Sequence, residues 1–294
     1  MKEICQMKIA VLMTCHNRRE KTMACLRTLL AQAAEGRQLN LAVFLVDDGS
    51  TDRTCDMVKE WYQTISSAFI FDLRLIVGTG DLFWAKGMRL AWESAVAEEN
   101  SRGPFDFYLW LNDDVELKPK AIELVIDDWR MCGDERGVIV GACSKDVEET
   151  ESSYAATTRH DEQIPPNGRT PQRADGWFNG NFVLVPRKAY EQVGMISGDY
   201  THARADYDYA ERLKRERIPF FASSQYIGVC IKDYSQKVNG MGLMKRVTLL
   251  WRPGYCNLHD LFLFRFKYYG LLKAVVSCLH MMVIVLRPLG VKKP

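Results

Sequence analysis

The sequence has almost no excess charge of either sign. Its 294 residues carry 39 Lys and Arg against 37 Asp and Glu, which gives a formal net charge of +2. Proteins that bind nucleic acid usually show a concentrated basic excess, so we expect no nucleic acid partner. Hydrophobic residues make up 47% of the chain, enough to bury a sizeable core in one large domain or in one domain with an appendage.

Paired cysteines are missing as well. Nine cysteines are scattered along the chain, no C-x-x-C pair occurs, and the five histidines do not lie at zinc spacing from them. An odd, scattered set of this kind is typical of reduced thiols in a cytosolic protein. The residues before the first apolar run are short and polar, without the apolar stretch of a secretory signal. We therefore expect a cytoplasmic protein.

A glycine-rich phosphate loop is missing from the place where two nucleotide-binding classes need it. The first predicted strand is followed by Thr14-Cys15-His16-Asn17, which disfavours both a nucleotidyltransferase and a Rossmann dehydrogenase. Gly78-Thr79-Gly80, further along, lacks the third glycine of G-x-G-x-x-G. A nucleotidyltransferase therefore stays only as a weak alternative function.

Strand-like and helix-like segments alternate over the first two hundred or so residues. The pattern predicts an α/β fold with a mostly parallel central sheet flanked by helices. Predicted strands cover 8–14, 41–46, 73–77, 107–111, 138–142 and 182–185, and predicted helices cover 18–32, 86–98 and 206–217. Two further helices are predicted to run to Tyr62 and Met131, the first capped by Ser50-Thr51-Asp52 and the second with Pro119 in its first turn. Residues 148–173 are polar and predict a loop.

Polar clusters follow four of the predicted strands. In open parallel sheets, ligands gather at the carboxyl ends of the strands. The sequence therefore predicts a crevice rich in carboxylates along one sheet edge. Its clusters are Thr14-Cys15-His16-Asn17, Asp47-Asp48-Gly49, Gly78-Thr79-Gly80-Asp81 and Asn112-Asp113-Asp114.

The two acidic clusters are suited to a nucleotide that carries a metal ion. Mg²⁺ and Mn²⁺ prefer oxygen ligands, usually one or two carboxylates plus phosphate oxygens. Two acidic clusters on one edge repel each other unless a cation or a donor-rich ligand joins them. Each cluster alone also fits an ordinary turn with a helix cap, so the interpretation depends on the two together.

Six segments, in their order along the chain, resemble family 2 glycosyltransferases with the GT-A (Rossmann-like) fold. The bacterial polysaccharide branch that includes rhamnosyltransferase-like enzymes is the most similar. The segments cover roughly residues 8 to 222 and read KIAVLMTCHNRRE, LVDDGSTDRT, GDLFWAKGMRLAW, LWLNDDVELKPKAI, WFNGNFVLVPRKAYEQVG and ADYDYAERLKRERIP. The resemblance implies an inverting, metal-dependent glycosyltransferase of cell-surface polysaccharide synthesis. It implies Mn²⁺ or Mg²⁺, a UDP-, dTDP- or GDP-linked sugar, and a saccharide or lipid-linked saccharide acceptor.

The resemblance also implies a role for each matching residue. It assigns nucleotide binding to Thr14, Asn17, Asp47, Asp48, Lys86, Asn112 and Asp113, metal binding to Asp114, the donor sugar and acceptor to Trp177, Asn179 and Gly180, and general-base catalysis to Asp206. Trp84 and Trp177 fit either a stacking contact with a ligand or a place in the core.

Two positions depart from the family pattern. Asn112 replaces the first acid of the D-x-D motif and gives a metal one fewer charge. Ala205 stands where an acid commonly precedes the base, which leaves Asp208 open as an alternative to Asp206. A catalytically degenerate binding or scaffold protein of the same fold is accordingly the alternative function.

The tail is aromatic, basic and apolar, and we expect residues 251–294 to form a helical extension of a transferase domain over residues 1–250. Its longest uncharged stretch, Ala274 to Leu286, has thirteen residues, whereas a membrane-spanning helix needs about twenty. The pattern fits an amphipathic segment at a membrane surface, or a helical pair packed on the main domain or a second subunit. We favour a peripheral position at the inner face of the cytoplasmic membrane, because transferases of the resembled type often use lipid-linked acceptors.

Overall fold

The computed structural model of the chain describes residues 7–35, 39–65, 71–231, 241–254 and 256–287. Within these ranges it has ten strands and eight helices. The strands are β1 (Met7–Cys15), β2 (Leu39–Asp47), β3 (Phe71–Val77), β4 (Phe107–Leu111), β5 (Glu116–Leu117), β6 (Val138–Ser144), β7 (Ser152–Tyr154), β8 (Gln172–Ala174), β9 (Phe182–Pro186) and β10 (Phe220–Val229). The helices are α1 (Arg19–Glu35), α2 (Thr54–Gln63), α3 (Phe83–Arg102), α4 (Ala121–Met131), α5 (Arg187–Val193), α6 (Ala205–Arg215), α7 (Leu243–Leu249) and α8 (Leu258–Leu286).

One sheet organises the fold, with the strand order β3-β2-β1-β4-β9-β6-β10-β5 and with β7 and β8 paired to β6 and β10. Strands β3, β2, β1 and β4 are parallel, β9 runs antiparallel to both neighbours, and β10 is parallel to β6. The predicted α/β fold with a mostly parallel sheet is therefore confirmed. The order reverses direction between β1 and β4, the kind of switch point at which such sheets bind ligands.

Each face of the sheet buries its own hydrophobic layer. In β1, Ile9 and Val11 belong to one core cluster, whereas Ala10 and Leu12 belong to the other. Side chains alternate between the two faces of a strand, so a strand covered on both sides needs apolar residues at successive positions. This requirement explains the uninterrupted apolar runs of the sequence.

Three local predictions differ from the structure. Helix α2 begins at Thr54 after Arg53, which has a left-handed backbone (φ 68°). Asp52 lies outside this helix, where its carboxylate accepts the N–H of Thr54 at 3.0 Å and that of Arg19 at 3.1 Å. Pro119 likewise lies outside α4, since Lys120 is the N-cap. The predicted loop over 148–173 contains β7 and the start of β8, because neighbouring strands supply backbone partners that local sequence does not reveal.

Helix α8 is bent back on itself at Gly270. This residue has φ 83° and ψ 173°, and it separates a first arm, residues 258–269, from a second arm, residues 271–286. The Sγ atom of Cys278 lies 3.8 Å from the carbonyl oxygen of Leu258. A straight helix would place these residues about 30 Å apart, so α8 is a helical hairpin.

The hairpin limits how far the tail reaches. By length and composition alone, the 29 residues of α8 would be long and apolar enough to cross a membrane. The second arm, however, is about 16 residues and hence about 24 Å long, short of the roughly 30 Å of bilayer hydrocarbon. The described tail is therefore a pair of helical arms, and its contact with a membrane surface or with protein stays a prediction.

The first arm of α8 is fixed to α6 through the buried carboxylate of Asp208. This carboxylate accepts hydrogen bonds from Tyr200, Lys267 and Tyr268 at 3.1, 2.6 and 2.8 Å, and from Arg212 at 2.9 Å. Burial by itself would raise the pKa of Asp208, but the bond from Lys267 and the charge of Arg212 hold this pKa below its ordinary value. The pairing satisfies a charge that would otherwise be costly to bury.

Candidate active site

The carboxyl ends of β1, β2 and β4 meet at one cleft, and the loops that follow these strands contact each other there. The loop after β1 reaches the loop after β2 through His16, whose Nδ1 lies 2.6 Å from the carbonyl oxygen of Asp48. The same loop reaches the end of β4 through Arg18, which pairs with Asp113 and Asp114. The structure thus brings the predicted polar clusters together.

Asp48 holds the loop between β3 and α3. Its Oδ1 accepts the N–H of Gly80 at 2.8 Å, and its Oδ2 accepts the N–H of Phe83 at 2.9 Å. Gly49 beside it has φ 69°, and a Cβ atom there would lie 2.9 Å from the Cα of Gly80. Both the left-handed backbone and the close approach require glycine at this position. A nucleotide contact by Asp48 stays a prediction.

Asn17 and Asp47 organise the loop after β2. The side-chain oxygen of Asn17 accepts the N–H groups of Thr51 and Asp52 at 2.7 and 3.3 Å. Oδ1 of Asp47 accepts the N–H of Ser50 at 3.0 Å. These bonds replace partners that the backbone lacks outside regular structure. The two residues shape the rim of the cleft, and their nucleotide contacts stay predictions.

Thr14 and Lys86 lie where β1 meets α3. Thr14 packs so tightly against Gly87 that a Cβ atom on Gly87 would lie 2.4 Å from the Thr14 hydroxyl oxygen. Lys86 is exposed. Its ammonium has no hydrogen bond or ion pair with the residues that the structure describes, so it is available to an anionic ligand.

Asp113 and Asp114 share one counter-charge, the guanidinium of Arg18. Nη1 of Arg18 lies 2.8 Å from Oδ1 of Asp113 and 3.0 Å from Oδ2 of Asp114. Asp113 also accepts a hydrogen bond from the Thr22 hydroxyl at 3.2 Å. Burial raises the pKa of Asp113 to about 6, although Arg18 opposes the shift. Asp113 is therefore a buried anchor, and Asp114 is the more accessible acid, with 12% of its side chain exposed against 5%.

Asn112, Trp84 and Gly180 form the wall beside these acids. The indole N–H of Trp84 donates to the side-chain oxygen of Asn112 at 2.7 Å. A Cβ atom on Gly180 would lie 2.2 Å from the Trp84 ring, so this position must be glycine for the ring to fit. The sequence implied a sugar-binding role for Gly180, and the structure shows a packing role beside it.

The residues at this corner fit a divalent cation that arrives together with a diphosphate. Among the residues that the structure describes, no group of three or more His, Cys, Asp or Glu side chains is placed to hold a metal ion alone. Mg²⁺ and Mn²⁺ commonly take one or two carboxylates and complete their shell with phosphate oxygens and water. Asp114 offers such a carboxylate, and the guanidinium beside it shows that the corner accommodates positive charge.

Asp206 lies at the first turn of α6, next to Gly180. Its Oδ2 accepts the N–H of Gly180 at 3.2 Å, and its Oδ1 accepts the N–H of Tyr207 at 2.9 Å. Burial raises the pKa of Asp206 to about 6, against the opposing effects of the Tyr207 N–H and the charge of Arg204. A carboxylate with this pKa is ionised at neutral pH and is well matched to accept a proton. Asp208, in contrast, has its carboxylate occupied by four side chains.

Trp177 and Asn179 precede Gly180, and their side chains differ in how far contacts within the protein already engage them. The Trp177 ring stacks on Tyr207 with centroids 5.2 Å apart and planes 7° apart, and its N–H donates to Glu211 at 2.8 Å. Asn179 is half-buried and has no hydrogen bond with the residues that the structure describes. Contacts of either residue with a sugar stay predictions, and Asn179 is the freer of the two.

Asp260 holds the loop that leads to Asp206, and no sequence motif points to this residue. Its buried carboxylate accepts the N–H groups of Thr201, His202 and Ala203 at 3.1, 3.0 and 3.2 Å, and the Thr201 hydroxyl at 2.9 Å. Asp260 lies on α8, outside every segment that carries the family resemblance. Nothing in the local pattern of the tail points to this contact.

Comparisons with known proteins agree with this fold. The profile of the family described as Glycosyl transferase family 2 matches residues 10–206. Comparison with curated proteins found no match.

Two solved structures are similar in fold. The first is the mannosyltransferase PcManGT from Pyrobaculum calidifontis in complex with GDP-Man and Mn²⁺, with a TM-score of 0.54 and 15% identity over 94% of this chain and 69% of that chain. The second is S. aureus TarS 1-349, with a TM-score of 0.52 and 12% identity over 96% of this chain and 81% of that chain. At these identities the likeness shows the shared GT-A fold.

Replacing Asp260 by Asn tests its hold on the loop before α6. The amide removes the charge and puts an N–H₂ group against backbone donors. Hydrogen bonds to a charged group contribute about 1.5–3 kcal/mol, so we expect the amides of Thr201, His202 and Ala203 to exchange hydrogen about tenfold faster or more. Asp199→Asn, at an exposed acid of the same loop, is the control. Unchanged exchange in Asp260→Asn would contradict the role.

Proposed function

Because the chain belongs to Glycosyl transferase family 2, we propose that it is an inverting, metal-dependent transferase that moves a sugar from a nucleoside diphosphate sugar to an acceptor hydroxyl. The observation that carries this proposal is the placement of Asp206. Its carboxylate, with a pKa of about 6, adjoins Gly180 at the wall of the same cleft that holds Asp114.

The proposed reaction is a single displacement. The acceptor oxygen forms a bond to the anomeric carbon while the bond from that carbon to the diphosphate oxygen breaks. Asp206 takes the proton of the acceptor hydroxyl, and the nucleoside diphosphate leaves with the electron pair of the broken bond. A double displacement would need a second free carboxylate. Asp208, the other acid in the first turn of α6, is fully engaged, which supports inversion.

The proposed cofactor is Mn²⁺ or Mg²⁺. Asp114 and the phosphate oxygens of the donor would hold the ion, which supplies positive charge to the leaving diphosphate. Asp47, Asp48 and Asn112 lie at the strand ends around the same cleft, where we propose that they contact the nucleoside. Lys86, exposed at the start of α3, would add a positive charge near the phosphates.

Nucleotide binding with and without metal tests the donor and the role of Asp114. In calorimetric titrations with UDP, GDP and dTDP, we expect one nucleotide to bind markedly tighter with Mn²⁺. Asp114→Ala should lose most of this gain, about tenfold or more in affinity. Asp127→Ala, at an exposed acid of α4, is the control.

Two outcomes of this titration would contradict the proposal. If Mn²⁺ raised the nucleotide affinity of Asp114→Ala as much as that of the unmodified protein, Asp114 would not be a metal ligand. If the folded, unmodified protein bound none of the three nucleotides, the degenerate scaffold would become the better interpretation.

Replacing Asp206 by Asn tests the general base. The amide cannot accept the proton, so we expect turnover to fall by about 10²–10⁴-fold, with nucleotide affinity unchanged. Asp208→Asn serves as the comparison, because it should mainly lower stability. Normal turnover in Asp206→Asn would refute the assignment.

The raised pKa of Asp206 predicts how turnover and stability depend on pH. Turnover of the unmodified protein should fall as the pH drops through about 6, because Asp206 then binds a proton. Since the folded pKa exceeds the unfolded one, stability falls as pH rises from about 4 to about 6. At pH 8 Asp206→Asn, which has no charge to bury, should therefore melt at the same or a higher temperature. A lower melting temperature of Asp206→Asn at pH 8 would contradict burial as the cause of the raised pKa.

We also propose that the hairpin α8 contacts the inner face of a cytoplasmic membrane, in the synthesis of a cell-surface polysaccharide with a lipid-linked acceptor. An apolar stripe on the second arm supports this. Leu272, Val276, Leu279 and Val283 share one helix face and are 76, 53, 56 and 60% exposed. Exposed contiguous apolar surface marks contact sites for membranes or proteins. The division into a transferase domain over 1–250 and an extension over 251–294 belongs to this proposal.

Vesicle sedimentation tests the membrane contact. We expect the full chain to pellet with vesicles that contain anionic phosphatidylglycerol. Leu272→Gln combined with Leu279→Gln should weaken this about tenfold or more, since each buried leucine contributes about 1.5–3 kcal/mol. Val147→Gln, at an exposed valine outside the hairpin, is the control. The proposal would be contradicted if the double variant pelleted as the unmodified protein does. It would also be contradicted if the unmodified protein were a dimer that the double variant disrupts.

A further inference from the structure

Arg18 lies where the proposed metal has to bind. Its Nη1 is 3.0 Å from Oδ2 of Asp114 and 2.8 Å from Oδ1 of Asp113. A divalent ion on the same Asp114 oxygen would meet a positive charge at contact distance, where repulsion is strong. Metal binding at this oxygen therefore requires the guanidinium to leave it.

The surroundings of Arg18 allow this movement. Its side chain is 35% exposed, whereas Asp113 keeps a second partner in the Thr22 hydroxyl when the guanidinium moves. Nε and Nη2 of Arg18 have no hydrogen-bond partner within the part of the chain that the structure describes. Guanidinium groups bind phosphate oxygens through two parallel N–H bonds. A diphosphate in the cleft thus offers Arg18 an alternative partner.

We propose that Arg18 is an internal counter-ion that couples metal binding to nucleotide binding. In the free protein it neutralises the Asp113–Asp114 pair and competes with metal. When a nucleoside diphosphate enters, Arg18 moves onto the diphosphate and leaves Asp114 to the cation. Each ligand then strengthens the binding of the other by the same factor. The inference rests on the proposed function, because it takes a nucleoside diphosphate as the ligand.

A purely structural Arg18 makes the opposite prediction. A fixed guanidinium would stabilise the acids in every state, and its removal would leave Asp114 no better as a metal ligand in a loosened loop. The counter-ion instead makes free Asp114 a poorer ligand than it would be alone. Mn²⁺ affinity in the absence of nucleotide therefore separates the two roles, and it does not depend on turnover.

The experiment measures bound Mn²⁺ by electron paramagnetic resonance, first with Mn²⁺ alone and then with the nucleotide that binds the unmodified protein. In Arg18→Gln, we expect Mn²⁺ alone to bind about tenfold tighter than it binds the unmodified protein. The factor by which nucleotide raises the Mn²⁺ affinity should shrink at least threefold. Arg19→Gln is the matched control, because Arg19 bonds to Glu20 and to the carbonyl of Asp52 rather than to the metal acids. It should behave like the unmodified protein.

Unchanged or weaker binding of Mn²⁺ alone in Arg18→Gln would overturn the proposal, as would absence of Mn²⁺ binding in every variant. If Arg18→Gln does not fold, Arg18→Lys carries the test. The single ammonium of lysine keeps the charge but lacks the two parallel N–H donors of the guanidinium. Mn²⁺ alone should therefore bind as in the unmodified protein, while nucleotide should raise the Mn²⁺ affinity less. An unchanged gain would overturn the proposal. Nucleotide binding independent of Mn²⁺ would overturn the coupling alone, whereas absence of nucleotide binding would overturn the proposed function as well.

Discussion

The crowding of carboxylates at one edge of a parallel sheet is the constraint on which the rest of the site depends. Asp47 and Asp48 lie at the end of β2, and Asp113 and Asp114 follow β4, the two strands that flank β1. Unbalanced negative charges brought to one sheet edge repel each other. Backbone N–H groups balance the first two, and the Arg18 guanidinium balances the second pair. The loops take their shapes from these bonds, so the groups that suit a nucleotide and a metal also hold the loops of the cleft together.

Helix α6 shows how environment gives two nearby carboxylates opposite properties. Burial raises the pKa of Asp206, whose partners are backbone N–H groups, whereas Lys267 and Arg212 hold the pKa of Asp208 low despite burial. Pairs of acids with pKa values driven apart are a common sign of divided roles. Here Asp206 keeps the proton affinity that the proposed general base needs, and Asp208 fixes the helix that carries Asp206.

The first arm of α8 contacts the loop and the helix that form one side of the candidate site. Asp260 on α8 orders the loop before Asp206, and Phe264 on the same arm belongs to the core cluster of one face of the sheet. The second arm packs back on the first and leaves an apolar stripe exposed. The first arm thus holds α6 and the loop before it, and the second arm keeps an apolar face exposed.

The sequence by itself determined the parallel half of the sheet, the place of the cleft and most of its polar residues. Continuous apolar runs specify strands covered on both faces, and polar residues at their ends must meet when the strands are parallel. Only the tertiary structure decided the antiparallel insertion of β9, the reversal at Gly270 and the partners of Arg18 and Asp260. These contacts join residues far apart in the chain, such as Arg18 to Asp113 and Thr201 to Asp260. Local periodicity carries no information about them, because they arise from packing between elements.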